Sequence, residues 1–208
     1  MLTIFKDATI YENGAMQKKS VSFENASISV SSVVAEGGVS VAYTNRVLIL
    51  PGFCDVHVHF REPGFSYKEV MKSGSMAAAR GGYTAVCTMP NLNPTPDSVE
   101  NLEIQRQAIR EKASIAVYPY GTITRGELGK EFSDMEAIAP NVIAFSDDGR
   151  GVQDASMMEE AMRRAKAMDK IIAAHCEVND LLFGGYIHDG EYAKAHGHKG
   201  ICSESEWK

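Results

Sequence analysis

Residues 51–64 read PGFCDVHVHFREPG, and the spacing of polar residues in this stretch predicts a β-strand that carries functional groups. Side chains two positions apart lie on the same face of a strand. If residues 47–60 are extended, His57, His59 and Arg61 point the same way. Two neighbouring imidazoles can bind a divalent metal ion, and a guanidinium group can bind a carboxylate. The stretch thus contains groups suited to hydrolysis of an acidic substrate beside a metal ion, but it does not decide the function alone, because a His-x-His pair on a strand is often structural.

The composition of the 208 residues argues against several classes of protein. A net charge of −6 and the lack of a Lys/Arg stripe argue against a nucleic-acid partner. No apolar run approaches the length of a membrane span and the N-terminus lacks a signal region, so we expect no membrane partner and a cytoplasmic location. The cysteines form no CxxC pair and predict reduced, buried, structural thiols: Cys54, Cys87, Cys176 and Cys202.

Residues 1–50 differ from the rest of the chain and predict a small β-sandwich subdomain without helices. Runs of β-like or alternating apolar residues occur at positions 2–5, 8–11, 21–23, 28–30 and 39–43. Turn signals separate some of these runs, at Glu12-Asn13-Gly14 and at Gly37-Gly38.

From residue 53 onward the pattern alternates between strand and helix. The predicted strands begin about 30 residues apart, near Phe53, Tyr83, Ile115, Val142 and Ile171. This repeat is typical of a (β/α)₈ TIM-type barrel, which needs roughly 250 residues for eight units. We therefore predict an α/β fold in which residues 51–208 form about five units of an incomplete barrel. A capping-box pattern at Ser203 to Glu206 directly precedes the last residues, so we expect the N-terminal part of a longer protein.

Four helices are predicted between these strands. Ser66 with Glu69 resembles a capping box before a helix over residues 70–80, which Gly81-Gly82 would end. Ser133 with Glu136 predicts the start of a short third helix. Apolar stripes predict the second and fourth helices, at Val99, Leu102 and Ile109, and at Ala155, Met158, Ala161, Met162, Ala165 and Met168.

Polar residues recur where the predicted strands run into the following loops, which is where barrel enzymes carry their working groups. They are His57, His59, Arg61, Asn91, Asp147, Asp148 and His175. Each has a structural alternative: Asp147-Asp148-Gly149 and Asn91 are compatible with turns, and His175 with an ordinary rim residue. Their joint occurrence favours a metal site, and imidazole with carboxylate suits Zn²⁺.

Other polar residues are less informative. We expect exposed surface positions for three histidines in loops or turns, His188, His196 and His198. Glu177 is compatible with a partner for a metal ligand or with a solvated helix start. The sequence does not assign roles to the loop residues Arg125 and Arg150.

Four motifs together resemble the dihydroorotases, in the bacterial type I branch of the amidohydrolase superfamily. They are residues 51–64, Met89-Pro90-Asn91, Phe145-Ser146-Asp147-Asp148-Gly149 and Ala174-His175-Cys176-Glu177. The resemblance covers essentially the whole chain. It implies a zinc-dependent enzyme of pyrimidine synthesis that interconverts dihydroorotate and N-carbamoyl-aspartate by metal-assisted hydrolysis of the ring amide.

The resemblance also implies roles for individual residues. His57 and His59 would bind one zinc ion, Asp148 could bridge to a second ion, and His175 would bind that second ion. Asp148 is preferred to Asp147 because the family's ligand directly precedes the glycine. The substrate carboxylate would be held by Arg61 and Asn91.

Alternative functions remain within the same superfamily. Allantoinases and dihydropyrimidinases use a carbamylated lysine near the fourth strand, and residues 142–148 contain no lysine. A second alternative is a non-catalytic subunit that scaffolds aspartate transcarbamoylase. As partners, the resemblance implies either a second copy of the chain in a homodimer or aspartate transcarbamoylase. The resemblance places the family's catalytic aspartate, on the eighth strand, beyond Lys208. We therefore expect no catalytic residue in this chain and no activity from these 208 residues alone.

Overall fold

The computed structural model describes residues 3–25, 27–31, 39–41 and 47–207. The chain divides into two compact units, Met1–Gly52 and Phe53–Lys208. Among the described residues, none of the helices is both long enough and apolar enough to span a bilayer.

The described part of the first unit forms one five-stranded sheet. Its strands are β1 (Thr3–Glu12), β2 (Ala15–Glu24), β3 (Ser27–Ser31), β4 (Val39–Val41) and β5 (Leu48–Ile49). β1 pairs with β2 in antiparallel register and with β4 and β5 in parallel register. The predicted break at Gly37-Gly38 and parts of two predicted strands, residue 2 and residues 42–43, lie outside the described residues.

Parallel strands form the framework of the second unit. They are β6 (Phe53–Val58), β7 (Tyr83–Thr88), β8 (Ala116–Pro119), β9 (Ala144–Phe145) and β10 (Ile171–Ile172). β6, β7 and β8 pair in that order, and β9 pairs with β10. A parallel bridge between Gly121 and Phe145 connects the end of β8 to β9. The order of the strands in space therefore follows their order in the chain.

Residues 47–60 do not form one strand, which was the condition for placing His57, His59 and Arg61 on one strand face. The structure has two short strands there: β5 pairs with β1 in the first unit, and β6 pairs with β7 in the second. β6 ends at Val58, so His59 and Arg61 lie in the loop that follows it. The side-chain alternation of a strand thus covers His57 but not the later two residues.

Four helices alternate with these strands, namely α1 (Met71–Arg80), α2 (Val99–Lys112), α3 (Met135–Ile138) and α4 (Ala155–Ala167). A further excursion contains β11 (Ile187–His188), α5 (Glu191–His196), β12 (Gly200–Ile201) and α6 (Glu204–Trp207). Three single 3₁₀ turns lie at Arg125–Glu127, Ala139–Asn141 and Asn179–Leu181.

Two predicted capping boxes are absent from the structure. Ser66 does not cap α1; instead the Glu62 carboxylate accepts a hydrogen bond from the Met71 backbone N–H at 2.9 Å. Ser133 does not cap α3, because its hydroxyl donates to the Thr122 carbonyl. In both cases the hydrogen bond that forms is with a residue of a neighbouring loop and not the one that the capping-box pattern predicts.

The caps of α2 and α4 use side chains next to the first helical residue. Ser98 accepts from the Asn101 backbone N–H at 3.3 Å, and Asp154 accepts from Met157 at 2.7 Å. Both bonds satisfy a backbone donor that the helix itself cannot satisfy.

The core of the second unit lies between the strands and their helices. One cluster packs α2, α3 and α4 against β9, through Leu102, Ile138, Phe145 and Ala161. A second packs α1 against β7 and β8, through Phe60, Met71, Val86 and Val117. Met162, predicted on the apolar stripe of α4, is exposed. Of the cysteines, Cys87 is buried, whereas Cys54 and Cys176 are exposed, contrary to the prediction.

Candidate metal centre

The residues predicted for the site lie at one end of the parallel strands. His57 is the fifth residue of β6, and His59 and Arg61 follow directly after the strand. Asn91, Asp148 and His175 each lie three residues beyond the ends of β7, β9 and β10. Because the strands are parallel, their carboxyl ends meet at the same edge, and the loops after them carry these side chains together.

The Asp148 carboxylate lies at the centre of three imidazoles. Its Oδ1 is 3.5 Å from His57 Nε2 and 3.4 Å from His175 Nδ1, and its Oδ2 is 3.5 Å from His59 Nε2. Asp148 is buried, whereas the histidines are partly exposed. One ligand atom from each of His57, His59 and Asp148 lies within 4.8 Å of the other two.

This spacing fits a shared metal ion better than direct hydrogen bonds. Hydrogen bonds between nitrogen and oxygen are typically 2.7–3.2 Å long. Two ligand atoms at about 2.1 Å from a tetrahedral ion lie about 3.4 Å from each other. Nitrogen and carboxylate oxygen ligands are also the donors that zinc accepts in proteins. The donor set and its spacing therefore fit a zinc-type ion.

Asn91 connects the imidazole cluster to Arg61. Its Oδ1 lies 3.0 Å from His59 Nδ1 and accepts a hydrogen bond of 3.0 Å from an Arg61 terminal nitrogen. Its Nδ2 donates to Asp148 Oδ2 at 3.1 Å. Since an amide oxygen only accepts, the proton of His59 lies on Nδ1 and the lone pair of Nε2 is directed toward Asp148. Burial lowers the pKa of His59, which favours this neutral form.

Glu177 makes a similar contact with His175. Its Oε2 lies 3.3 Å from His175 Nε2, on the opposite side of the ring from Asp148. This contact orients the His175 ring with Nδ1 toward Asp148. Of the two roles considered for Glu177, the geometry agrees with a partner for a ligand.

The adjacent acids Asp147 and Asp148 have different surroundings. Asp147 is 1% exposed and accepts hydrogen bonds from the backbone N–H groups of Ile123, at 2.7 Å, and Thr124, at 3.1 Å. It also accepts from the Thr124 hydroxyl. Burial raises the pKa of Asp147. Asp147 therefore anchors the loop after β8, and Asp148 faces the imidazoles.

Sequence patterns do not identify Glu127 as a residue of the site. This residue lies in the loop after β8, is 5% exposed and borders the same cleft as Arg61 and Asn91. Burial, followed by the nearby Asp147 carboxylate, raises the pKa of Glu127 to about 8. Arg150 also borders the cleft. The three histidines predicted as surface residues are exposed: His188, His196 and His198. The prediction that they lie in loops or turns was wrong for two of them, because His188 ends β11 and His196 ends α5.

Comparison with known proteins defines the family. A family model described as dihydro-orotase-like matches residues 46–208, and the chain therefore belongs to this family. A protein named dihydroorotase from Fusobacterium nucleatum is 56% identical over 158 residues, covering 76% of this chain and 37% of the relative. A dihydroorotase from Bacillus licheniformis is 45% identical over 197 residues, covering 94% and 46%. The chain thus spans less than half the length of these relatives.

Solved structures support the fold at lower sequence identity. An L-hydantoinase (dihydropyrimidinase) from Arthrobacter aurescens has a TM-score of 0.72 and 15% identity, covering 88% of this chain and 42% of that chain. A D-hydantoinase has a TM-score of 0.69 and 19% identity, covering 95% and 44%. The likeness extends across both α/β and β-rich parts of the chain.

Proposed function

We propose that this chain supplies the metal-binding and carboxylate-binding groups of a dihydroorotase. The reaction is the reversible hydrolysis of the cyclic amide of dihydroorotate to N-carbamoyl-aspartate, in the cytoplasmic synthesis of pyrimidines. The observation that carries the proposal is the placement of the Asp148 carboxylate within 3.5 Å of His57, His59 and His175. Asn91 links this cluster to Arg61, a cation suited to an acidic substrate.

The proposed architecture is part of a TIM-type barrel. Residues 51–208 would contribute about five βα units, and residues 1–50 would form a separate small β subdomain. The sequential order of the parallel strands supports this proposal, as do the match to the dihydro-orotase-like family and the likeness to hydantoinases. In such barrels the loops after the strands form the active site.

Four side chains would hold one or two zinc ions: His57, His59, Asp148 and His175. When bound, zinc lowers the pKa of water and polarises a carbonyl group. Other side chains of this chain orient two of these ligands. Asn91 and Glu177 hold two of the imidazoles in the tautomers that direct a lone pair toward Asp148.

Arg61 would bind the substrate carboxylate and fix the ring beside the metal ligands. Its guanidinium presents several donors in a plane, which suits a carboxylate acceptor. The hydrogen bond to Asn91 limits the movement of the Arg61 side chain. A substrate held in one orientation reacts faster because less entropy is lost on reaching the transition state.

Two alternative functions have less support. Residues 142–148 contain no lysine that could be carbamylated, and the curated relatives at 45–56% identity are named dihydroorotase rather than allantoinase or dihydropyrimidinase. All four proposed ligands are present, which favours a catalytic protein over a scaffold. A homodimer or a complex with aspartate transcarbamoylase stays a prediction from the resemblance.

Zinc binding tests the metal part of the proposal. We expect His57→Ala and His175→Ala to weaken zinc binding by about 60- to 700-fold each, because one of four ligands carries roughly a quarter of a zinc-binding free energy of about 10–16 kcal/mol. The measurement is competition with a chromophoric chelator. The matched control is His188→Ala, which removes an exposed histidine from β11. Equal zinc affinity for all three variants and the wild type would refute the proposed ligands.

Calorimetric titration with N-carbamoyl-aspartate tests the carboxylate site. Arg61→Gln should reduce the affinity of the zinc-loaded protein for this ligand at least tenfold, because the substitution removes the charge that pairs with the carboxylate but none of the metal ligands. Arg125→Gln is the matched control, since Arg125 is exposed and pairs with Asp134. An unchanged affinity in Arg61→Gln would contradict the proposed role.

A further inference from the structure

A cleft of about 550 Å³ lies beside the imidazole cluster, and its wall contains a carboxyl group that the proposed function does not use. The wall includes Arg61, Asn91, Asp148 and Glu127. Arg61 offers hydrogen-bond donors for an anion, whereas Glu127 offers acceptor oxygens. The cleft therefore suits a ligand that carries both a carboxylate and N–H groups.

The carboxyl group and the backbone of Glu127 both have features that are unfavourable for folding. Its Oε1 is buried and has no hydrogen-bond partner among the described residues. Its backbone φ of +56° lies in the left-handed region, directly after Gly126 at +59°. Residues other than glycine adopt this conformation uncommonly, and an unpaired buried oxygen is unfavourable for the folded state. Both features lower the stability of the folded state at a residue that lines the cleft, as is typical of functional positions.

We propose that Glu127 accepts a hydrogen bond from the terminal NH₂ group of a ureido ligand and thereby selects ureido compounds over acyl-amino compounds of the same charge. This inference rests on the proposed function, because it uses the same cleft and the same anion site at Arg61. The carboxyl group has an acceptor oxygen in either of its protonation states. Glu127 is thus a positioning residue for the nitrogen end of the ligand, and Arg61 for its carboxylate.

Two ligands that differ in one group separate the contribution of Glu127 to binding from that of Arg61. N-carbamoyl-aspartate and N-acetyl-aspartate have the same two carboxylates, and each has a carbonyl group on the amino nitrogen. They differ where the first has an NH₂ group and the second has a methyl group. A hydrogen bond from that NH₂ group to Glu127 would strengthen the binding of the first ligand alone, by about tenfold.

The experiment is calorimetric titration of both ligands into the zinc-loaded protein and its variants. The wild type should bind N-carbamoyl-aspartate about tenfold more tightly than N-acetyl-aspartate. In Glu127→Met, which removes the acceptor and keeps the length, the ratio should fall to about one. Glu127→Gln keeps an acceptor oxygen and should retain most of the ratio. The control Glu131→Met makes the same change at an exposed position of the same loop and should leave the ratio unchanged.

The outcomes distinguish the inference from the proposed function. A wild-type ratio near one would overturn the inference whatever the variants do. Equal weakening of both ligands in Glu127→Met would also overturn it, since Glu127 would then act only on the structure of the cleft. If Arg61→Gln binds both ligands as the wild type does, or the wild type binds neither, the proposed function fails and the inference fails with it.

Discussion

Replacement of Gly74 by alanine tests how rigidly the core holds Phe60, the residue that directly follows the proposed metal ligand His59. A Cβ atom at position 74 would lie 2.5 Å from Cε1 and 2.6 Å from Cδ1 of Phe60. Carbon atoms in contact are normally 3.5–4.0 Å apart, so the ring must move by about 1 Å. Phe60 is 5% exposed, packs against Met71, Val86 and Val117, and directly follows His59.

Two opposing effects determine the stability of Gly74→Ala. Alanine favours a helix over glycine by about 1 kcal/mol. Overpacking of a dense core costs about 1–3 kcal/mol. The mid-range sum predicts that the free energy of unfolding falls by about 1 kcal/mol, and the melting temperature by about 2–4 °C. Urea denaturation followed by circular dichroism measures this change.

Two further variants make the result interpretable. Ala77→Gly, at an exposed position of the same helix, measures the difference between the two residues without a clash and should cost about 1 kcal/mol. In a Phe60→Val background the δ and ε carbons are gone, so Gly74→Ala should instead stabilise by about 1 kcal/mol. If Gly74→Ala stabilises the otherwise unchanged protein by as much as Ala77→Gly destabilises it, the ring of Phe60 is not held as described.

Three more predictions concern individual hydrogen bonds and one titrating group. Asp147→Ala should lower the free energy of unfolding by about 2–4 kcal/mol in a urea titration, because the backbone donors at Ile123 and Thr124 lose their acceptor. Ser98→Ala should cost about 1 kcal/mol in the same assay, since α2 loses its N-cap. Glu127→Gln should raise the melting temperature relative to the wild type more at pH 8 than at pH 5. Glu127 stays protonated in the folded protein up to its pKa of about 8, whereas an ordinary glutamate ionises near 4.5. The stability that protonated Glu127 gives the wild type at low pH is therefore lost as the pH rises from about 4.5 to 8.

Each of these predictions has a matched control in the chain. Asp154→Ala removes an exposed N-cap and should cost only about 1 kcal/mol, so an equal effect at Asp147 would argue against the buried anchor. Ser66→Ala should change stability by less than about 0.5 kcal/mol, because Ser66 does not cap α1. Glu131→Gln is the same change at an exposed position of the same loop, and a similar pH profile in both glutamine variants would refute the role of burial at Glu127.

The strand positions could be predicted closely from the sequence. The predicted starts at Phe53, Tyr83 and Ile171 agree with the structure, and those at Ile115 and Val142 differ by one or two residues. Apolar runs of β-branched residues bounded by glycine and proline are strong local signals, so the repeat could be recognised without knowledge of tertiary contacts.

The helix caps could not be predicted in the same way. Ser66 and Ser133 have the right spacing from a glutamate, yet neither caps a helix. The donor at the start of α1 is satisfied by Glu62, nine residues before Met71 in the chain, and such a partner depends on how the loops pack. A capping pattern therefore marks a helix more reliably than it identifies the group that caps it.

The residues of the candidate site could be predicted only in part from the sequence. The parallel strand order explains why His57, His59, Asp148 and His175 converge, although their assignment as ligands stays a prediction. The residues alone do not distinguish Asp147 from Asp148. The family resemblance favours Asp148 as the ligand, and the structure gives the two acids different environments. Glu127 gave no signal, because its burial and its left-handed backbone depend on the fold of the loop.

The single amide of Asn91 has a consequence for how affinities should be measured. Its oxygen is shared by Arg61 and His59, and its nitrogen is bonded to Asp148. An anion that draws the guanidinium away would change the hydrogen bonding of an imidazole, and an ion at the imidazoles would change the guanidinium in return. By thermodynamic linkage such effects are equal in both directions. A dissociation constant for the anion therefore has a defined value only at a stated metal occupancy, and the reverse holds for the metal.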